Sequence, residues 1–144
     1  MQLWLQFRQS AAGIRRLFAS DSIRLEVSSK CQLKCPVCPT AKGNNREGVV
    51  GWGNLSLESF KRFIGNHPHI RHIEISNWGE VMLNPELKEI IKCAYESGIE
   101  LFANNGVNFN SARDDALEAM AKYRFRNLTI AIDGATSETY QQYR

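Results

Sequence analysis

The chain has 144 residues, with 18 Lys and Arg against 15 Asp and Glu, a formal charge of +3 and 43% hydrophobic residues. That size suits one domain with its own core, and the composition excludes collagen-like, coiled-coil and disordered classes. Charges of both signs are interspersed and no apolar run reaches about eighteen residues, so neither nucleic acid nor a membrane is expected as a partner.

Residues 1–22 read as an N-terminal extension, an amphipathic helix with Leu3, Phe7, Ile14, Leu17 and Phe18 on its apolar face, rather than a signal or transit peptide. The core domain is expected over 23–144. Ile23 to Ser28 alternates apolar and polar residues and predicts a strand. From Ser29 to Leu55 the chain is rich in Cys, Pro, Gly and Asn, a composition that predicts a long functional loop. Ser56 is placed to cap a helix carrying Leu57, Phe60, Phe63 and Ile64. A strand over Ile70 to Ser76 follows, then a helix from an Asn84-Pro85 cap to Gly98. The next strand covers Ile99 to Ala103, with a helix capped by Ser111 that runs to about Tyr123. Leu128 to Ile132 reads as an almost continuous apolar strand, and Thr136 or Ser137 opens a last helix. Four strand–helix units in succession predict an α/β fold with a parallel sheet.

In such folds the chemistry collects at the carboxyl ends of the strands. Those ends hold Cys31, Cys35 and Cys38 after strand one, Asn77-Trp78-Gly79-Glu80 after strand two, Asn104-Asn105-Gly106 after strand three and Asp133-Gly134 after strand four. Four cysteines without an export signal point to a reducing compartment and to metal chemistry rather than disulfides. Three thiolates in one loop leave a metal position open, whether on an iron–sulfur cluster or on a zinc completed by His67, His69, His72 or a more distant residue. Taken singly, Glu80, Asn105-Gly106 and Asp133-Gly134 also suit loop or turn roles, and Cys93 suits a packed thiol on a helix. A nucleotide-binding reading without metal would need a glycine-rich turn after strand one, where the cysteine loop stands instead.

Cys31-Gln-Leu-Lys-Cys35-Pro-Val-Cys38, followed in order by Gly79-Glu80, Asn105-Gly106 and Ile132-Asp133-Gly134-Ala135-Thr136, resembles the radical S-adenosylmethionine (radical SAM) family over residues 23–144. The wording is nearest the branch whose longer members carry a SPASM-type auxiliary-cluster domain. The resemblance implies the first four strands of a partial TIM-like (β/α)6 barrel. It implies a 4Fe-4S cluster on Cys31, Cys35 and Cys38, with S-adenosylmethionine on the fourth iron. Reductive cleavage would then give a 5′-deoxyadenosyl radical that abstracts hydrogen from an unknown substrate. An external electron donor such as flavodoxin or ferredoxin follows from the same resemblance, and the cysteine usage without an export signal points to a cytoplasmic location. Val37, Trp78, Gly79, Glu80, Asn105 and Asp133 match the family's SAM-contacting positions.

This chain departs from the family pattern at four of the positions it would share. Trp78 replaces the first glycine of a glycine-glycine-glutamate motif, and Val37 replaces an aromatic residue near the adenine. Asn104 stands where threonine is common, and Ala131 where a serine hydroxyl is common. The length predicts a partial chain, with an uncovered edge at the fourth strand. The alternative class is a metal-binding or structural fragment, holding a cluster or zinc, that does not cleave SAM.

Overall fold

The computed structural model describes residues 20–144, so the helix expected within 1–22 lies outside the described residues apart from its last three positions. Strands β1 (Ser22–Arg24), β2 (His72–Glu74), β3 (Glu100–Val107) and β4 (Asn127–Ile130) form one parallel sheet in that order. Helices α1 (Leu57–Asn66), α2 (Leu87–Glu96) and α3 (Asp114–Lys122) make the crossovers, and α4 (Ser137–Tyr143) follows β4. This is the strand–helix alternation that the apolar periodicity predicts.

Successive strand residues point to opposite faces, which divides the sheet sharply. One face contributes Ile73, Ile75, Leu101 and Ala103 to a core completed by Phe60 of α1, Leu87, Ile90 and Ile91 of α2, and Ala116 and Ala119 of α3. The register aligns Arg24, Glu74, Phe102 and Asn127 across the other face. That face is largely polar, and it leads directly to the carboxyl-end loops.

Three helix punctuators stand as read. Ser56 accepts from the Ser59 backbone N–H at 3.2 Å, Gly98 follows α2 in the left-handed region at φ +68°, and Thr136 and Thr139 make a capping box for α4. Replacing Ser56 with Ala is expected to lower unfolding stability by about 1 kcal/mol, read as a lower urea midpoint at constant slope.

Other boundaries move for identifiable reasons. The first strand opens at Ser22, and its pairing with β2 stops near Leu25, whose N–H donates to the Glu74 carbonyl at 2.9 Å. Beyond it the chain changes partner: Leu55 N–H donates to Val27 O at 2.9 Å, Ser29 N–H to Gly53 O at 3.0 Å, and Ser28 forms an antiparallel bridge with Asn54. The second strand is likewise shorter than Ile70 to Ser76. The third is longer than expected and includes Asn104-Asn105-Gly106, which are strand residues with a register shift rather than a loop. Asn84 is not the N-cap of α2, which starts at Leu87 after Glu86; its amide nitrogen goes to Val27 O and Leu55 O and its amide oxygen takes Glu86 N–H, while the Glu86 carboxylate accepts from Leu57 N–H at the start of α1. Ser111 lies in a short 3-10 turn (Phe109–Ser111), with α3 starting at Asp114. Ile130 of β4 and Ile132 just beyond it are 44% and 69% exposed.

Candidate functional site

The loop after β1 carries all three clustered cysteines, and all are free thiols. Cys35 is buried, while Cys31 and Cys38 are half-buried. Cys38 N–H donates to Cys35 O at 3.2 Å, so the second and third thiols stand on one tight turn. Burial pushes the Cys31 thiol above its ordinary value; a hydrogen bond from the Leu33 backbone opposes this, and the nearness of Glu80, Cys35 and Cys38 reinforces it. Cys31 thus feels both the Glu80 carboxylate and the other two thiols of the loop. Among the described residues, no group of three His, Cys, Asp or Glu side chains is gathered as a single metal ion would require.

The rest of the loop is tied down. Asn45, buried, donates to Ser29 O at 3.0 Å, and Gly53 N–H donates to the Ser29 hydroxyl at 2.8 Å. The Arg46 guanidinium lies 4.5 Å from the centre of the Trp52 ring. The histidines considered as zinc ligands sit elsewhere. His67 packs on Phe63 at the end of α1, and His72 lies between Asp21 and Glu100 at the amino ends of the strands.

The turn after β2 meets the cysteine loop closely. Glu80 N–H donates to Lys30 O at 2.7 Å, and the Thr40 hydroxyl donates to Trp78 O at 2.6 Å. A Cβ on Gly79 would lie 2.1 Å from Ser28 O and 2.6 Å from Lys30 O, so only glycine permits this approach. Trp78 and Gly79 N–H both donate to the Glu26 carboxylate, at 2.9 and 3.3 Å. Glu80, 4% exposed, accepts from Met82 N–H at 3.2 Å and Asn108 N–H at 2.8 Å.

At β3, the Glu74 carboxylate accepts from Asn104 N–H at 3.1 Å and from the Ser76 hydroxyl at 2.6 Å. Asn105 N–H donates to the Ser76 hydroxyl at 3.0 Å, and its side-chain amide also reaches the Ser76 carbonyl. Asp133, at φ +25°, pairs with Arg144, whose Nη1 donates to Cys35 Sγ at 3.3 Å. Val37 is 74% exposed and Trp78 44% exposed. An open cavity of about 790 Å³ runs along the polar face, lined by Glu26, Val49, Val50, Asn77, Trp78 and Asn105 among others. The Asn77 Oδ1 atom is buried without a hydrogen-bond partner. Of the residues singled out in the sequence, Trp78, Gly79 and Glu80 meet the cysteine loop through Ser28, Lys30 and Thr40, Asp133 reaches Cys35 through Arg144, Asn105 lines the cavity beside Trp78, and Val37 faces solvent.

Several supporting residues had weaker sequence signals. Glu26 and Glu74 fall on the polar phase of their strands, which marks a face but not a role. Thr40 and Ser76 resemble ordinary loop residues, and Arg144 carries no local signal.

Burial raises Glu26 above the ordinary carboxyl value against the Trp78 and Gly79 hydrogen bonds, and it raises Glu80 against those from Asn108 and Met82. Folding therefore takes up protons at these groups. Their contribution to stability is fullest below the ordinary value of 4.5 and declines as pH rises through the raised folded values. Asp115, lowered by its Arg113 hydrogen bond, and Glu138, lowered by its own backbone N–H, act oppositely, and their contribution is lost as pH falls through the lowered values. Unfolding free energy is expected to rise on acidification from neutrality to about pH 5, and to rise less in Glu26→Gln. Urea midpoints across that range check both.

No protein-family model matches the chain. The AdoMet-dependent heme synthase of Methanosarcina barkeri (strain Fusaro / DSM 804) is 29% identical to it over 124 residues, which are 85% of this chain and 34% of that protein. The crystal structure of BtrN in complex with AdoMet and 2-DOIA superposes with a TM-score of 0.64 at 17% identity, covering 88% of this chain and 52% of that one. BtrN in an open conformation gives a TM-score of 0.61 at 14% identity, with coverages of 83% and 53%. At these identities the structural likeness shows the fold. The chain spans about a third of the curated relative and about half of each solved chain.

Proposed function

We propose that this chain, the N-terminal part of a radical SAM core domain, holds a 4Fe-4S cluster through Cys31, Cys35 and Cys38 and binds S-adenosylmethionine beside it. The observation that carries the reading is the docking of the three-cysteine loop on the Trp78-Gly79-Glu80 turn, through Glu80 N–H to Lys30 O at 2.7 Å and the Thr40 hydroxyl to Trp78 O at 2.6 Å, at the carboxyl ends of a parallel sheet. The donor set fits: a cluster is ligated at separate irons, so its thiolates need not close on one point as they must around a zinc with sulfurs at about 2.3 Å. The protein ligands number three, which leaves one iron for a cofactor.

When bound and reduced, such a cluster supplies the electron that cleaves S-adenosylmethionine to methionine and a 5′-deoxyadenosyl radical able to take hydrogen from a substrate. The chain's own part is to position. Glu26 holds the Trp78 and Gly79 N–H groups, and the Trp78 carbonyl meets the cysteine loop at the Thr40 hydroxyl. Among the described residues no hydrogen bond reaches the Gly79 carbonyl, and the Trp78 carbonyl, used once by Thr40, keeps a second lone pair for a methionyl amine. Glu80 is fixed by two backbone donors and acts in support of that turn. Asn105, held by Ser76, lines the cavity beside Trp78 and would be available to contact an adenosyl group.

The reading calls for an external one-electron donor of the flavodoxin or ferredoxin class and for a substrate bearing an abstractable hydrogen. Four free thiols suit the reducing cytoplasm. Among the described residues no helix is long and apolar enough to cross a membrane.

Anaerobic reconstitution with iron and sulfide tests the proposal. It should load about four irons per chain, and the EPR signal of the reduced protein should change on adding S-adenosylmethionine. Cys35→Ala should lose both iron and signal. Zinc bound in place of iron, or a cluster spectrum indifferent to S-adenosylmethionine, would favour the non-catalytic metal-binding reading instead.

A further inference from the structure

Arg144 lies 109 residues from Cys35 in sequence, yet its Nη1 donates to the Cys35 sulfur at 3.3 Å. The contact is built rather than incidental. The other side of the guanidinium, Nε and Nη2, is paired with the Asp133 carboxylate. Asp133 adopts a positive φ of 25°, and a Cβ on Gly134 would lie 2.3 Å from Tyr140 N, so the turn after β4 folds α4 tightly back. Tyr140 is also held through its hydroxyl by Asn110 at 3.0 Å. These restraints fix the end of α4 over the cysteine loop, with the Arg144 side chain largely covered at 14% exposure.

We propose that Arg144, held by Asp133, is a positioning residue that places a charged hydrogen-bond donor on the Cys35 sulfur and so raises the reduction potential of the cluster Cys35 would ligate. The inference rests on the cluster-binding reading above. A reduced cluster carries one more negative charge than an oxidised one, and a cation with an N–H directed at a ligand sulfur favours the reduced form. Low exposure strengthens the effect, because little water intervenes. The sulfur also receives its donor from the last helix of the chain, so the first loop and the fourth strand–helix unit are joined at the metal site. Asp133 thereby has a role through Arg144, beside the SAM contact that its motif suggests.

The test is an EPR-monitored potentiometric titration of the reconstituted full chain, in which dithionite supplies the single electron. Arg144→Ala should move the midpoint to a more negative potential by at least a tenfold change in the reduced-to-oxidised ratio, about 59 mV for a one-electron couple. Arg144→Lys keeps the charge and should recover part of that shift. Lys122→Ala removes an equal charge at the end of α3, remote from the cysteines, and should leave the midpoint where it is in the wild type. If Arg144→Ala fails to retain a cluster, Arg144→Gln carries the same comparison with the side chain's bulk preserved. Equal midpoints in wild type and the neutral variants, at equal iron content, would overturn the inference and leave the cluster reading intact. A wild-type chain that assembles no cluster would overturn the cluster reading itself, and this inference with it.

Discussion

Gly79→Ala should cost about 3 kcal/mol or more of unfolding stability and sharply reduce iron incorporation, because the added methyl has no space to enter. Its carbon would sit 2.1 Å from Ser28 O and 2.6 Å from Lys30 O, and both obstacles are backbone rather than the movable end of a side chain. Relief requires the two segments to separate. Separation breaks the 2.7 Å bond from Glu80 N–H to Lys30 O and shifts Cys31, the next residue along the loop. The contrast is Gly65 of α1, where a Cβ meets nothing within 4 Å; Gly65→Ala should stabilise the chain by roughly 0.5–1 kcal/mol through better helix propensity. Urea unfolding of both variants, with iron content after reconstitution, separates a local packing clash from a general intolerance of substitution. Wild-type stability and iron loading in Gly79→Ala would mean that the turn does not abut the loop in this way.

Why the rim motifs were legible while the network beneath them was not follows from how each is encoded. The strand–helix alternation rests on apolar periodicity over ten or so residues, and the order of β1 to β4 and their partners α1 to α4 follows from it. Cysteine spacing and glycine-bearing turns are local in the same sense. What local pattern does not carry is the choice of partner for a polar side chain. Glu26 and Glu74 read as the solvent phase of two strands, yet their carboxylates hold the backbone of Trp78, Gly79 and Asn104. Asn104-Asn105-Gly106 is a turn signal that in sequence ends the third strand at Ala103, and the structure keeps it extended by supplying Glu74 and Ser76 as hydrogen-bond partners. Likewise Arg144 has a meaning only through the folded turn that brings it to Cys35. The polar atoms of the site are thus specified by tertiary placement, while its scaffold and its metal-binding candidates are specified by sequence.

Asn84 offers the other large effect, and its substitutions separate two roles that the sequence merges. It is fully buried at 0% exposure. Its amide nitrogen donates to Val27 O at 2.7 Å and Leu55 O at 2.9 Å, and its amide oxygen accepts from Glu86 N–H at 2.8 Å. Its own carbonyl accepts from the Arg113 guanidinium at 3.0 Å. One side chain thereby joins the segment leaving β1, the segment entering α1 and the approach to α2. Asn84→Ala leaves Leu55 O and Glu86 N–H without this partner, while Val27 O keeps its bond from Leu55 N–H, and a loss of about 2–4 kcal/mol is expected, since each buried polar group left unpaired costs about 1–3 kcal/mol and partial rehydration recovers some of it. Asn84→Asp keeps the acceptor for Glu86 N–H but turns a carboxylate oxygen toward two carbonyl oxygens, and should be at least as destabilising. Were Asn84 chiefly a helix cap, Asp would serve nearly as well as Asn. Denaturant midpoints for the two variants therefore decide between a cap and a three-way tie. The tie has a functional consequence: Val27 stands four residues before Cys31, so loosening it should also lower iron loading, in proportion to the stability lost.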